Sequence, residues 1–166
     1  TVIPKDAVAA PKKTKLTVSF KGKSVSLMTA KYNKDTLTGT ATVARIKKAW
    51  GKPNKKSKNG NVTFYTYKKG KTSISFYGYN NKKKDKAGRY IGGFEIEIND
   101  KNAKVCGVKV GMTEEKAMSI LKKKFGESKL YKPDDVDMIC AGIGQYLPVQ
   151  YDIKDGKVSR IYFWCS

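Results

Sequence analysis

The chain has 166 residues, 39% of them hydrophobic, with ten Tyr and six Phe, and carries 35 Lys+Arg against 14 Asp+Glu for a formal net charge of +21. That apolar content is enough for a packed fold and excludes global disorder, and the absence of any run of about 18 apolar residues argues against a membrane-spanning helix. Histidine is absent, so no Ser-His or Cys-His dyad can form and no catalysis is expected.

The charge is spread unevenly. Residues 1–90 hold 23 Lys+Arg against 3 Asp+Glu, whereas residues 91–166 hold 12 against 11. Lysine supplies nearly all of it, since Arg45, Arg89 and Arg160 are the only arginines. Lysine is a hydrated point charge without the planar guanidinium fork, which suits diffuse attraction to a polyanion better than bidentate reading of a base or phosphate. Simple solubility is the plainer explanation for the same charge.

In chain order, residues 1–13 are rich in Pro, Ala and Lys and read as a flexible leader. The first residue is Thr1, from which we expect that a signal peptide or lipoprotein anchor has been removed. Leu16 to Phe20, a turn at 21–23 and Ser24 to Thr29 read as a hairpin, followed by a polar loop from Lys31 to Thr40. A first helix is expected from Ala41 to Trp50, stopped by Gly51 and barred from continuing by Pro53. Asn54 to Gly60 reads as a basic loop. Val62 to Tyr67 and Thr72 to Tyr79 form a second hairpin, Asn80 to Gly88 another basic loop, and Tyr90 to Ile98 a strand. Gly92-Gly93 is followed by no helix, so it reads as a strand bulge rather than a phosphate loop.

The clearest segment is Val110 to Gly126. Thr113 is placed to cap a helix, Glu114 and Glu115 complement the positive end of its dipole, Lys122 to Lys124 complement the other, and Gly126 stops it. Ala117, Ile120, Leu121 and Phe125 fall on one side. Beyond it lie a loop from Glu127 to Asp137, strands at Met138 to Gly142 and Leu147 to Ile153, an Asp155-Gly156 turn and a last strand from Val158 to Cys165. Asp134, Asp135 and Asp137 lack the spacing of a calcium loop and read as solvated acids; no metal and no cofactor is expected. The three cysteines Cys106, Cys140 and Cys165 match no metal spacing. With two-residue turns, Cys165 would face Tyr146 and Cys140 would face Leu147, too far apart for a disulfide.

Residues 41–51 align without gaps on residues 116–126, pairing Trp50-Gly51 with Phe125-Gly126. The expected fold class is therefore α+β: two tandem helix-plus-antiparallel-meander repeats, helices packed on antiparallel sheet, after a short N-terminal hairpin. The expected division is a leader at 1–13, hairpin plus first repeat at 14–104, and second repeat at 105–166. On Gly111-Met112-Thr113 and Gly126, the pattern resembles the β-lactamase-inhibitor-protein fold and the small lipoprotein of outer-membrane assembly. The resemblance implies a binding scaffold; no inhibitory residue transfers, because Leu37-Thr38-Gly39-Thr40 stands where the first motif belongs.

Aromatic residues crowd the strands. With a two-residue turn at Lys69-Gly70, Tyr65, Tyr67, Ile74 and Phe76 share one face while Phe64 and Tyr77 lie on the other. Either both faces are covered, or one is an exposed binding surface, as Tyr and Trp favour. The expected function is a non-catalytic binding protein, secreted or tethered at the surface of a Gram-positive-type bacterium, whose partner is a protein or an anionic cell-surface polymer. The candidate aromatic residues are Tyr65, Tyr67, Phe76, Tyr77, Tyr79, Tyr162 and Trp164, and the candidate lysines Lys55, Lys56, Lys82, Lys83 and Lys84. Non-specific nucleic-acid binding and enzyme inhibition rank below it.

Overall fold

Alternating apolar residues and tight turns build most of this chain, and the computed structural model describes residues 11–32, 36–80, 91–144 and 147–165. The N-terminal hairpin, β1 (Lys13–Phe20) and β2 (Lys23–Lys31), is extended on one side by β3 (Thr36–Gly39). On the other side stand β8 (Ala103–Val105) and β9 (Val108–Lys109), completing a five-stranded sheet in the order β3-β2-β1-β8-β9. The remaining strands are β4 (Lys55–Asn59), β5 (Val62–Lys69), β6 (Thr72–Tyr79), β7 (Ile91–Ile98), β10 (Leu130–Tyr131), β11 (Met138–Gly144), β12 (Leu147–Lys154) and β13 (Lys157–Cys165). They form one eight-stranded sheet, β10-β11-β12-β13-β7-β6-β5-β4. Every pairing described is antiparallel.

Among the described residues two α-helices interrupt the strands, α1 (Val43–Trp50) and α2 (Glu114–Phe125). In α2 the Thr113 hydroxyl accepts the Lys116 N–H and the Gly126 N–H donates to the Lys122 carbonyl, so cap chemistry sets both ends where the residue types place them. In α1 Thr42 caps the start by accepting the Arg45 N–H, and Gly51 closes onto Lys47. The likeness of the two segments holds at their C-terminal ends; α1 is four residues shorter.

The α+β expectation of two helix-plus-meander repeats is corrected. The protein is mostly β, with two antiparallel sheets, because segments without apolar alternation are strands as well. Thr36–Gly39 and Lys55–Asn59 were expected as loops, and Ala103–Lys109, left unassigned from the sequence, contributes two short strands. What covers the large sheet is chiefly the second sheet. Phe20 of β1 meets Trp50 of α1 and Tyr67 of β5 edge-on, with ring centroids 5.6 and 6.1 Å away. The Tyr151 hydroxyl on β12 donates to the Val105 carbonyl on β8 at 3.0 Å, and the Cys165 and Met28 sulfurs lie 3.7 Å apart. α1 fills the flank beside β5 and β6, and α2 packs against β9, β10, β11 and β13.

One continuous core results, drawing on Leu16, Val18 and Phe20, on Tyr67, Ile74 and Ile96, and on Tyr151, Ile161 and Phe163. The expected boundary at 104/105 falls inside β8, whose partner β1 belongs to the other half. Pairing of β7 with β13 joins the halves a second time.

Candidate functional site

Side chains alternate across a strand, so the large sheet presents two faces, and register decides which aromatic residue goes where. On β5 and β6 the pairs Tyr65–Phe76 and Tyr67–Ile74 point one way, and Phe64–Tyr77 points the other. The first set faces the second sheet. Tyr65, Tyr67 and Phe76 are only 4%, 1% and 2% exposed, and they are therefore core residues rather than parts of a binding surface. The correction has a plain cause: α1 and β1 lie on them. Lys47 Nζ sits 5.3 Å from the Tyr65 ring centre, the Tyr67 hydroxyl donates to the Gly51 carbonyl at 2.7 Å, and Tyr67 stacks on Phe76. Burial, with Tyr65 alongside, pushes the Tyr67 phenol up to about 12.

The second set remains at the surface. Trp164, Tyr79 and Phe64 are 52%, 51% and 44% exposed, and Tyr77 and Tyr162 are half-buried. Phe64 was not among the candidate site residues, although its alternation with Tyr65 places it on this face. Its ring centre lies 5.8 Å from that of Tyr77, which meets Tyr79 edge-on at 5.6 Å. The Tyr77 phenol is raised by its hydrogen bond with Tyr79 and by burial. The Tyr77 ring packs against Gly92, where an added Cβ would stand 2.1 Å from Tyr77 Cε2. The expected bulge is here: Gly92 and Gly93 together oppose Tyr77, between the pairs Phe76–Phe94 and Gly78–Ile91.

Between Trp164 on one side and Phe64 with Tyr77 on the other, a cavity of about 250 Å³ opens on the sheet, with Gly93, Ser75 and Glu95 also lining it. Cross-strand pairing puts Trp164, Glu95, Ser75, Thr66 and Lys55 in one row. Ser75 and Thr66 hydroxyls are 3.1 Å apart. In the next row Tyr162 is held by Arg160, whose guanidinium lies 4.7 Å from the ring centre while reaching Glu97 at 3.4 Å and Asp152 at 3.6 Å.

Lys55 and Lys56 lie on β4, the edge strand, which is exposed along its whole length. Lys55 pairs with Thr66 and so shares the aromatic face, whereas Lys56 pairs with Tyr65 and points the opposite way. Lys82, Lys83 and Lys84 lie outside the described residues.

Two of the thiols border this face: Cys165 lies in the lining of the cavity, and Cys140 shares the cross-strand row of Gln150 and Tyr162. Cys106, Cys140 and Cys165 are free and buried, and burial is the first cause raising each of them. The expected register is corrected for Cys140, which faces Gln150; Cys165 pairs with Phe94 on the β7 side, and Tyr146, expected opposite it on the other side, lies outside the described residues. β11 runs through the expected Ile143-Gly144 turn and pairs Gly144 with Leu147, and an irregularity between Asp152 and Ile153 shifts the next hairpin by one residue. Among the described residues no group of three or more His, Cys, Asp or Glu is placed to hold a metal ion, and no helix is long and apolar enough to cross a membrane.

No family model matches the chain, and no curated protein matches it. Among solved structures it is similar to a DUF4309 family protein from Bacillus subtilis, at 17% identity over 76% of this chain and 80% of that one, with a TM-score of 0.32. A likeness at that score carries no inference about fold or function.

Proposed function

We propose that this protein is a non-catalytic binding module, secreted or tethered at a bacterial cell surface, that engages an extended partner with the solvent face of its large sheet. The observation that carries this reading is the cluster of Phe64, Tyr77 and Trp164 around an open, largely apolar cavity, with Tyr79 edge-on to Tyr77 beside it. Large apolar side chains gathered on one exposed patch are a feature of recognition surfaces, and Tyr and Trp combine a wide apolar plane with a polar tip. The lysine excess of residues 1–90 acts separately, concentrating the protein near anionic surface polymers such as those of a Gram-positive wall.

Nucleic acid remains the second partner class, favoured by the charge alone. Both are tested by retention of the full chain on washed Gram-positive cell walls and on single-stranded DNA, followed in parallel from low to high salt. Attachment by phosphate neutralisation falls steeply with salt, whereas apolar stacking does not. The expected result is a wall-bound fraction that outlasts the salt titration while DNA is released. Replacing Lys55, Lys56 and Lys58 together with Lys82, Lys83 and Lys84 by Ser is expected to weaken retention at low salt. Unchanged retention there would remove the surface role of the lysines.

A further inference from the structure

Charge is distributed over the aromatic face in a way that narrows the ligand. In the four cross-strand rows holding Tyr162, Trp164, Tyr77 and Tyr79, the described residues carry Lys68 and Glu97, then Lys55 and Glu95, and no other formal charge. Among the described residues these four rows are therefore neutral, in a protein of net charge +21. The arrangement is also ordered: both lysines stand on β4 and β5 at the sheet edge, while both carboxylates stand on β7 beside the aromatic rings.

From this we infer that the cavity between Trp164 and the Phe64–Tyr77 pair is a subsite for an uncharged glycan chain, with a sugar ring stacked on Trp164 and its hydroxyls donating to Glu95. The inference rests on the reading of this face as the binding surface. Three features support it. The C–H face of a pyranose is apolar and flat, and packs on an aromatic plane, while its ring edge carries hydroxyls that need acceptors in the same plane. Glu95 and Ser75 supply oxygen atoms between the aromatic walls, with Trp164 directly opposite Glu95 across the β13–β7 ladder. A phosphate or uronate placed in the cavity would meet the Glu95 carboxylate, so the subsite selects against the anions that the rest of the protein attracts.

A peptide is disfavoured by position. Extended peptides gain affinity by adding a strand to an open sheet edge, and β7 and β13 sit in the middle of eight strands, each already paired on both sides. A glycan needs no such ladder. Gly93 and the bulge deepen the floor under the ligand, giving a sugar ring room between the walls.

The test is a titration of the full chain with neutral hexasaccharides of β-1,4-linked glucose, β-1,4-linked N-acetylglucosamine and α-1,4-linked glucose, read by tryptophan emission. Trp50 is buried and Trp164 exposed, so acrylamide quenching isolates the Trp164 contribution. At least one hexasaccharide is expected to protect Trp164 saturably, to the same extent at low and high salt. Phe64→Ala is expected to weaken that response about tenfold, and Glu95→Gln, a change at an exposed position, to weaken it with the fold intact. Absence of a response to all three sugars overturns the inference, as does displacement by oligothymidylate or a response to an unstructured apolar peptide instead. Failure here is distinct from failure of the binding face itself. If the Phe64→Ala/Trp164→Ala double variant loses wall retention while no sugar binds, the face stands and the glycan falls; if the variant keeps full retention, the face falls too.

Discussion

The two faces of the eight-stranded sheet are built from the same residue types and have opposite fates. On β5, Tyr65 and Tyr67 are sealed under α1 and β1, while Phe64, the neighbour of Tyr65, stands in solvent. On β13, Phe163 is buried against Phe94, while Trp164 beside it is exposed. Aromatic content therefore says nothing about role here. What separates a core aromatic from a recognition aromatic is its parity along the strand and the presence of a second sheet on one side only. The inner face is stabilised by burial, and the outer face leaves its apolar surface unspent.

The largest effect that would sharpen this contrast is on the inner face. Trp50→Ala removes the ring that touches both Phe20 and Tyr67 and that donates from Nε1 to the Lys23 carbonyl. It is expected to cost about 3–5 kcal/mol, seen as a lower denaturation midpoint with an unchanged slope. Gly92→Ala comes next. The new methyl must displace the Tyr77 ring, at a cost of about 1–3 kcal/mol, and because that ring walls the cavity, ligand affinity falls along with stability. A loss of stability with ligand binding untouched would break the link between the bulge and the site.

A smaller effect concerns pH. Asp100 accepts from the Thr72 hydroxyl and from the Lys71 and Asn102 N–H groups, tying the β5–β6 turn to the chain after β7. Burial opposes ionisation, but these donors outweigh it and hold the carboxyl below its ordinary value. A carboxyl depressed in the folded state contributes stability that is fully present above its unfolded value, near ~3.9, and that is lost as pH falls through the lower folded value. Asp100→Asn should therefore flatten the acid limb of the stability curve. An acid limb identical to that of the parent protein would show that the turn contributes nothing. The smallest stability effect is expected on the outer face, where Phe64→Ala and Trp164→Ala each change unfolding free energy by no more than about 0.5 kcal/mol.

Much of the scaffold is legible in the sequence, and the reasons are local. Thr113, the Glu114-Glu115 pair and Gly126 bound α2 through cap chemistry that needs no tertiary partner. The Asp155-Gly156 turn, with φ of 52° and 74°, closes its hairpin as the dipeptide requires. The split of Phe64 and Tyr77 from Tyr65 and Phe76 follows from alternation once the turn is known.

What is not legible is non-local. Lys55 to Asn59 has no apolar residue and becomes a strand because β5 offers it an unpaired edge, with its lysines discouraging further pairing. The cysteine register depended on β11 continuing through the expected Ile143-Gly144 turn and on an irregularity in the β12–β13 ladder, neither of which dipeptide counting reveals. Nor does a strand's own sequence tell which of its faces another sheet will cover. That choice was made by β1, β2 and β8, and it moved Tyr65, Tyr67 and Phe76 from the candidate surface into the core.

The most direct measurement is retention on washed cell walls at high salt, comparing the parent protein with the Phe64→Ala/Trp164→Ala double variant after thermal denaturation has shown both to be equally folded. Retention lost by the double variant at an unchanged melting temperature is the predicted result. Equal retention by the two proteins would contradict the assignment of the outer aromatic face as the binding surface.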